Sequence, residues 1–497
     1  FSLRLSHNGM LKLDKALART LKYDVALSLS SDRIFNDRLV SVGSGAILDA
    51  TKDGMYEGTP YPSSYETLSG TKSNPVMYWA KFSDLFYLNV GNMSNRFNVG
   101  TEWKIEGNRG IGQYDKTPKF KAFAQDRIRR FCDIPYMNQI SAYVEDNVVL
   151  TFSERRYPNI TGQVGVRWTV VQPWRNERMM ALSPRLNIAV NPVRYLSLRL
   201  GYGISEKVPS LQDLYPSPDY YDFYNMSVSD GQKSYYLYST RVFDNKPVSI
   251  KTMRGTKYEL GFDVRLDNGM SFSVVGYHEK VSRCFGPDNS EWKTLVFDVW
   301  NAADVTFTGQ KPIYDQQNPS RRDTVLYNLI RPGNPKSRRN RGIEFDFNFG
   351  KINATNTSFY LSGAWSETRS SSSNLGYKLP VGEARNYGPV YVVYPESSYS
   401  FSENRRFSAT LRVVQHIPVI RFIVSASAQC ILYEYDHEVS SGTRPLGYIS
   451  GLNISSLQKT NWMILNSTFM DICSRTRYST PVSPMSLLLG LPYGVWI

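Results

Sequence analysis

The chain has 497 residues, 58 Lys and Arg against 44 Asp and Glu, a net charge of +14, a mean hydropathy of −0.37 and 34 Tyr, 24 Phe and 9 Trp. Length permits two or three ordinary domains but demands no division, because all-β barrels run long as single units. No run of about 18 apolar residues occurs, which excludes a membrane-spanning helix and leaves a membrane barrel open, since barrel strands need only alternate.

The positive charge invites a nucleic-acid partner, yet the basic residues are spread along strands and loops, so no nucleic acid is expected. The densest run, Lys336-Ser337-Arg338-Arg339-Asn340-Arg341, stands just before a strand and reads first as a solvated loop end. Cys132, Cys284, Cys430 and Cys473 lie far apart without a Cys-x-x-Cys pair, and His7, His278, His416 and His437 are equally scattered. That spacing argues against a zinc site, any other metal centre, or a disulfide-dense scaffold, while one or two long bridges stay open. No cofactor is expected.

In chain order, Phe1 to Leu5 already alternates like mid-strand, with no signal peptide before it, and the expectation is that the native N-terminus lies elsewhere. Tyr23, Val25, Leu27 and Leu29 fall on one face, and Asp24, Ala26 and Ser28 on the other. Residues 53–74, rich in Gly, Pro, Ser and Thr, read as a long connection, and Phe97 to Ile105 as another two-faced strand. Gly107-Asn108-Arg109-Gly110-Ile111-Gly112 superficially suggests a phosphate loop. Such a loop needs a helix after it, whereas 113–121 is polar and holds Pro118, so the nucleotide reading fails.

Four alternating segments follow. Ile140, Ala142 and Val144 share a phase that Asp146 breaks, through either a bulge or an inward-turned carboxylate. In Thr161 to Val170 the apolar positions are Val164, Val166, Trp168 and Val170; Leu186, Ile188 and Val190, then Leu198, Leu200 and Tyr202, repeat the scheme around a turn at Asn191 to Arg194. Strict alternation with tight turns gives an antiparallel meander with two chemically different faces.

Residues 205–252 form a long excursion holding Tyr220, Tyr221, Tyr224, Tyr235 and Tyr236. Loops of that length are uncommon and are usually functional or disordered. Tyrosines suit sugar rings, planar chelates and protein partners, and they equally suit packing on one another; both readings stay open. Tyr258 to Leu266 alternates into an Asp267-Asn268-Gly269 turn, a strong hairpin signal, and a second excursion is expected over 285–339. Ile343 to Phe349, Phe407 to Val413 and Ile420 to Ala428 repeat the strand scheme. Turns near 191–194, 267–269 and 350–353 thus fall at one end of the sheet, and excursions near 205, 285 and 370 at the other, the asymmetry of outer-membrane barrels.

With those residues in view the chain resembles the barrel of a TonB-dependent outer-membrane receptor of the kind found in Bacteroidota. The resemblance rests on Ala142-Tyr143-Val144-Glu145-Asp146, Val164-Gly165-Val166-Arg167-Trp168, Ser183-Pro184-Arg185-Leu186-Asn187, the run Tyr202 to Leu211, Leu214-Tyr215-Pro216, Tyr258-Glu259-Leu260-Gly261-Phe262 and Arg341-Gly342-Ile343-Glu344. It implies an all-β, antiparallel transmembrane barrel, partial or near-complete, of up to about 22 strands. Long outer loops and short periplasmic turns would complete it. At about 10 residues per strand such a barrel needs roughly 220 residues, with the rest left to long loops, so a near-complete barrel is expected to fit but not the family's plug as well. Strand pattern begins at residue 1, and the chain ends at Trp496-Ile497 without the usual closing aromatic. The expectation is therefore one barrel unit over 1–497, a fragment or decayed copy with the plug domain absent.

The implied function is uptake of a scarce or bulky ligand, such as a siderophore, cobalamin, metal chelate or oligosaccharide. The implied site is the outer loops, with Tyr220, Tyr221, Tyr224, Tyr235, Tyr236, Arg338 and Arg339 as ligand contacts. Val164, Val166, Trp168, Leu186, Ile188, Val190, Leu198, Leu200 and Tyr202 would face lipid, while Arg167, Arg185 and Arg199 point into the lumen. Implied partners are outer-membrane lipid, the TonB complex through the missing plug, and a surface lipoprotein. A passive porin or structural barrel, and a secreted glycan-binding β protein, are the alternatives. No catalytic constellation is visible: no Ser-His-Asp order stands out, nor a carboxylate pair at the 5 to 9.5 Å a glycosidase needs.

Overall fold

The computed structural model describes residues 1–450 apart from 16–17, 42–44, 62–63, 116–126, 128, 153–157, 175–176, 379–389, 395–400 and 439–446. Fourteen strands form one antiparallel sheet in chain order. They are β1 (Ser2–Lys15), β2 (Ala18–Ser30), β3 (Pro75–Val90), β4 (Met93–Asn108), β5 (Met137–Leu150), β6 (Ile160–Trp174) and β7 (Glu177–Val193). Then come β8 (Leu196–Lys207), β9 (Met253–Arg265), β10 (Ser271–Val299), β11 (Arg321–Ile352), β12 (Thr357–Ser372), β13 (Phe401–Ile417) and β14 (Phe422–Glu438).

Cross-strand register explains why the alternation reads as a wall. Val164 pairs with Leu186, Leu186 with Tyr202 and Tyr202 with Tyr258, so one apolar row crosses four strands. The neighbouring row is polar: Gln163, Asn187, Gly201 and Glu259. Apolar rows are not covered by protein. Leu260 is 67% exposed, Val164 51%, Ile343 50% and Leu200 49%.

The two ends differ as the sequence implies. Short turns join β3 to β4, β7 to β8, β9 to β10, β11 to β12 and β13 to β14, and the long connections after β2, β4, β8, β10 and β12 all lie at the opposite end. At the Asp267-Asn268-Gly269 turn, Gly269 takes φ 84°, a conformation that costs a glycine little. The β7–β8 turn sits later than the expected Asn191 to Arg194. Pairing continues to Val193 opposite Leu196, past a register shift that begins at Val190.

Two expectations are corrected, and the question left open at Asp146 is narrowed. The excursion over 285–339 is mostly sheet: β10 and β11 stay paired out to Val299 and Arg321, with register shifts between Val281 and Glu291 absorbing the Gly and Pro residues that suggested a loop. Residues 53–74 contain the strands Gly54–Pro60 and Ser64–Ser73, because backbone groups in a folded loop still require partners. Asp146 occupies no bulge. The ladder passes it unbroken, opposite Phe97 and Val164, so its carboxylate stays on the apolar face with a buried Oδ1 that has no hydrogen-bond partner among the described residues.

Gly112–Asp115 is a strand paired with Ser64–Ser73, consistent with rejecting a phosphate loop. Cys132, Cys284 and Cys430 are free thiols. Cys473 and the segment 488–497 lie outside the described residues.

Buried apolar clusters sit at the long-connection end. One joins Met137, Val171, Met179, Leu214 and Ile250; another joins Met226, Val228, Leu237 and Trp300; a third joins Leu326 and Val393.

Candidate functional site

Past β8 the chain makes one helical turn, Leu211–Leu214, closed by a capping box. The Asp213 backbone N–H donates to Ser210 Oγ at 3.3 Å, and the Ser210 N–H donates to Asp213 Oδ2 at 2.9 Å. Leu214 then buries into the first apolar cluster and fixes Tyr215. The Arg129 guanidinium donates to the Tyr215 carbonyl and, at 3.0 Å, to Ser217 Oγ. Burial lowers the pKa of Arg129.

This Arg129–Tyr215 bridge separates two adjoining clefts at the long-loop end. One, of about 800 Å³, is lined by Met77, Glu106, Phe131, Ile134 and Leu211. The other, of about 900 Å³, is lined by Arg127, Arg130, Asp133, Asp219, Tyr220 and Lys246. Arg127 is structural: buried, it bonds both oxygens of Asp222 at 3.1 and 2.9 Å, donates to the Ala50 carbonyl at 2.7 Å, and lies 5.1 Å from the Tyr220 ring. Thr240 donates to the same Asp222 at 2.7 Å. Arg130, by contrast, is exposed and has no ion-pair partner among the described residues, which leaves its charge available to a ligand. Lys246 stands 3.4 Å from Asp244. Burial raises the pKa of Asp219, whose carboxylate accepts from the Tyr327 hydroxyl.

The expected tyrosines fall on one hairpin, Asp219–Ser229 with Ser234–Phe243. Most of them pack on protein. Tyr221 lies 5.2 Å from Tyr327, Tyr224 lies 5.3 Å from Tyr238, and Tyr235 lies 6.3 Å from Phe307, while Tyr236 is buried. Burial, with Tyr238 and Tyr236 adding, pushes the Tyr224 phenol up to about 12. Of the five, Tyr220 lines the larger of these two clefts.

Arg338 and Arg339 are not loop residues. Both sit within β11, Arg338 on the polar face opposite Val281 and Ser370, Arg339 on the apolar face opposite Lys280 and Arg369. The physical reason is that partners on both sides, β10 and β12, satisfy the backbone of this stretch, so tertiary pairing overrides its polar composition.

Arg167, Arg185 and Arg199 lie on the polar face. Arg167 pairs with Glu102 at 3.0 Å and shares a small pocket with Arg185, Lys81 and Tyr143. Arg199 pairs with Asp263 at 2.7 Å and lines a separate depression with Gln163, Asn187 and Glu259. Apart from Tyr220, the residues of the clefts were missed at the sequence level, although three arginines within 127–130 were a signal of the same kind as the basic run at 336–341. Among the described residues no group of three His, Cys, Asp or Glu is placed to hold a metal.

A long antiparallel meander with one exposed apolar face, one polar face, short turns at one end and folded loops at the other is the wall of an outer-membrane-type β-barrel. The chain belongs to the TonB dependent receptor-like, beta-barrel family, whose model matches residues 2–414. It is a family of receptors and transporters of the bacterial outer membrane. Among solved structures the chain is similar to the siderophore receptor PirA from Acinetobacter baumannii (14% identity, 86% of this chain and 55% of that one, TM-score 0.42). It is also similar to the copper transporter OprC (10% identity, 84% and 52%, TM-score 0.41) and to the RagAB peptide transporter (10% identity, 83% and 46%, TM-score 0.43). The chain spans about half the length of these three structures. No curated protein matches it by sequence.

Proposed function

We propose that this chain is the wall and outer loops of an outer-membrane receptor that takes up a bulky, scarce ligand bearing an anionic group. The siderophore, metal-chelate, cobalamin and oligosaccharide classes are the candidates. The observation that carries the reading is the pair of adjoining clefts at the long-loop end, with the exposed Arg130, which has no ion-pair partner among the described residues, and the ring of Tyr220 on the wall of the larger. The polar face, with Arg167, Arg185 and Arg199, then looks into the lumen, and the exposed apolar rows meet lipid. Energy for release comes from the inner-membrane TonB complex acting through a plug domain, and a surface lipoprotein can seat on the same outer loops.

The test is a tryptophan-fluorescence titration of the purified protein with a ferric catecholate, cobalamin, a copper chelate and a charged oligosaccharide. One class binds, and Arg130→Ala weakens it about tenfold, or ~1.4 kcal/mol. Binding of none, together with stable ion conductance in planar bilayers, turns the assignment to a passive porin.

A further inference from the structure

The two clefts beside Arg129 differ in what their walls leave unsatisfied. Arg129, Ile134, Tyr215, Pro216 and Ser217 line both, so the partition between them is shared. On the smaller side the charged side chains are Glu106 and Arg129, and both are spent within the chain. Glu106 takes Lys104 at 2.5 Å, and Arg129 donates to the Tyr215 carbonyl and to Ser217 Oγ. The Asn108 amide is spent as well. Its Oδ1 accepts from the Asn74 and Gly110 N–H groups, each at 2.8 Å, and its Nδ2 donates to Ser73 Oγ at 2.8 Å. The surface left for a ligand is chiefly that of Val76, Met77, Phe131, Ile134 and Leu211.

Met77 is the informative member. It lies in β3 on the polar face, between Ser28 and Glu106 in register, where a side chain that met only water would ordinarily be polar. Its unbranched thioether adapts to whatever apolar shape lies against it. The larger cleft has the reverse character. Its Arg130 is exposed and has no ion-pair partner among the described residues, and Asp133 shares its wall. An apolar wall gains by exchanging water for apolar matter, and a free guanidinium gains by taking a carboxylate. One ligand that crosses the partition satisfies both.

We propose that the smaller cleft holds the aliphatic acyl arm of the ligand whose anionic head sits at Arg130, so that the cargo is an acylated anion. Its volume of about 800 Å³ is that of a ligand pocket, which is typically about 300–1,000 Å³ and mostly apolar with a few polar groups. The inference rests on the reading of the larger cleft as an anion site and adds the chemistry of the rest of the molecule.

The test is equilibrium dialysis of radiolabelled N-acylglycines, from acetyl to octanoyl, against the purified protein in nanodiscs, with empty nanodiscs subtracted for lipid partition. These probes carry one carboxylate for Arg130 and an amide donor for Asp133. Affinity rises roughly two- to fourfold per methylene, as partial to complete burial of each requires. The double variant Met77→Gln/Ile134→Gln flattens that dependence and leaves acetylglycine binding unchanged, whereas Met77→Leu keeps the slope. Arg130→Ala lowers every chain length by the same factor. Heat-modifiable gel mobility confirms that each variant retains its barrel. Acetylglycine binding that depends on Arg130, with no rise along the series or with the same rise in the Gln variant, overturns this inference alone. Binding of no member of the series overturns the anion site and the acyl arm together.

Discussion

The wall and the outer cap solve opposite problems with the same residues. In the wall, Leu260, Ile343, Val164 and Leu200 are half to two-thirds exposed, and no buried apolar cluster lies at mid-strand among the described residues. In the cap, Met226, Leu237 and Trp300 are nearly sealed, as in a water-soluble domain. The difference teaches that the cap carries its own hydrophobic stabilisation, whereas the wall is held by its hydrogen-bonded ladder and by the solvent its outer face meets. In lipid an unpaired backbone group is costly, and a paired strand with apolar side chains is not.

The largest effect should come from breaking the cap alone. Trp300 is buried, donates to the Asp315 carbonyl at 2.6 Å and packs 5.2 Å from Tyr314. Trp300→Ala should cost about 3–5 kcal/mol, read as loss of hydrogen-exchange protection over 219–243 while heat-modifiable mobility of the barrel is unchanged. Simultaneous loss of both would show that cap and wall are one cooperative unit.

Next in size is a change confined to the wall. Leu260→Arg should destabilise by roughly 2–4 kcal/mol in a bilayer, measured as urea-dependent refolding into vesicles. A neutral result would place this face in water. Asp146→Leu should act in the reverse direction and stabilise by about 1 kcal/mol, because it removes a carboxylate oxygen that is buried without a partner among the described residues. A loss of stability in the same refolding assay would mean that the carboxylate has a partner in the membrane.

The smallest effect is a pH dependence of the cap. The Tyr224 phenol, raised to about 12 by burial first and by Tyr238 and Tyr236 next, ionises near 10 in the unfolded chain. A raised pKa favours the protonated fold, so this contribution is complete below pH 10 and is lost as pH climbs toward 12. Absorbance titration of phenolate should show a late-ionising tyrosine that Tyr224→Phe removes, with the wall's strand signal in circular dichroism flat over the same range.

By itself the sequence determined the wall. A period of two writes face, pairing direction and turn position into local residue order, so Val164 to Val170, Tyr258 to Leu266 and Asn268-Gly269 were legible one segment at a time. Alternation likewise put Arg167, Arg185 and Arg199 on one face, the polar one, for the same reason. What lies between distant segments was not legible. Whether 285–339 is loop or paired strand depends on β10 meeting β11, and the partners of Tyr221, Tyr224 and Tyr235 depend on how one hairpin folds over another. The clefts join Arg129 to Tyr215, 86 positions on, and put Met77 of the wall and Leu211 of the helical turn on one cavity. Such contacts are set by strand pairing and packing across the whole sheet, and only the tertiary structure decides them.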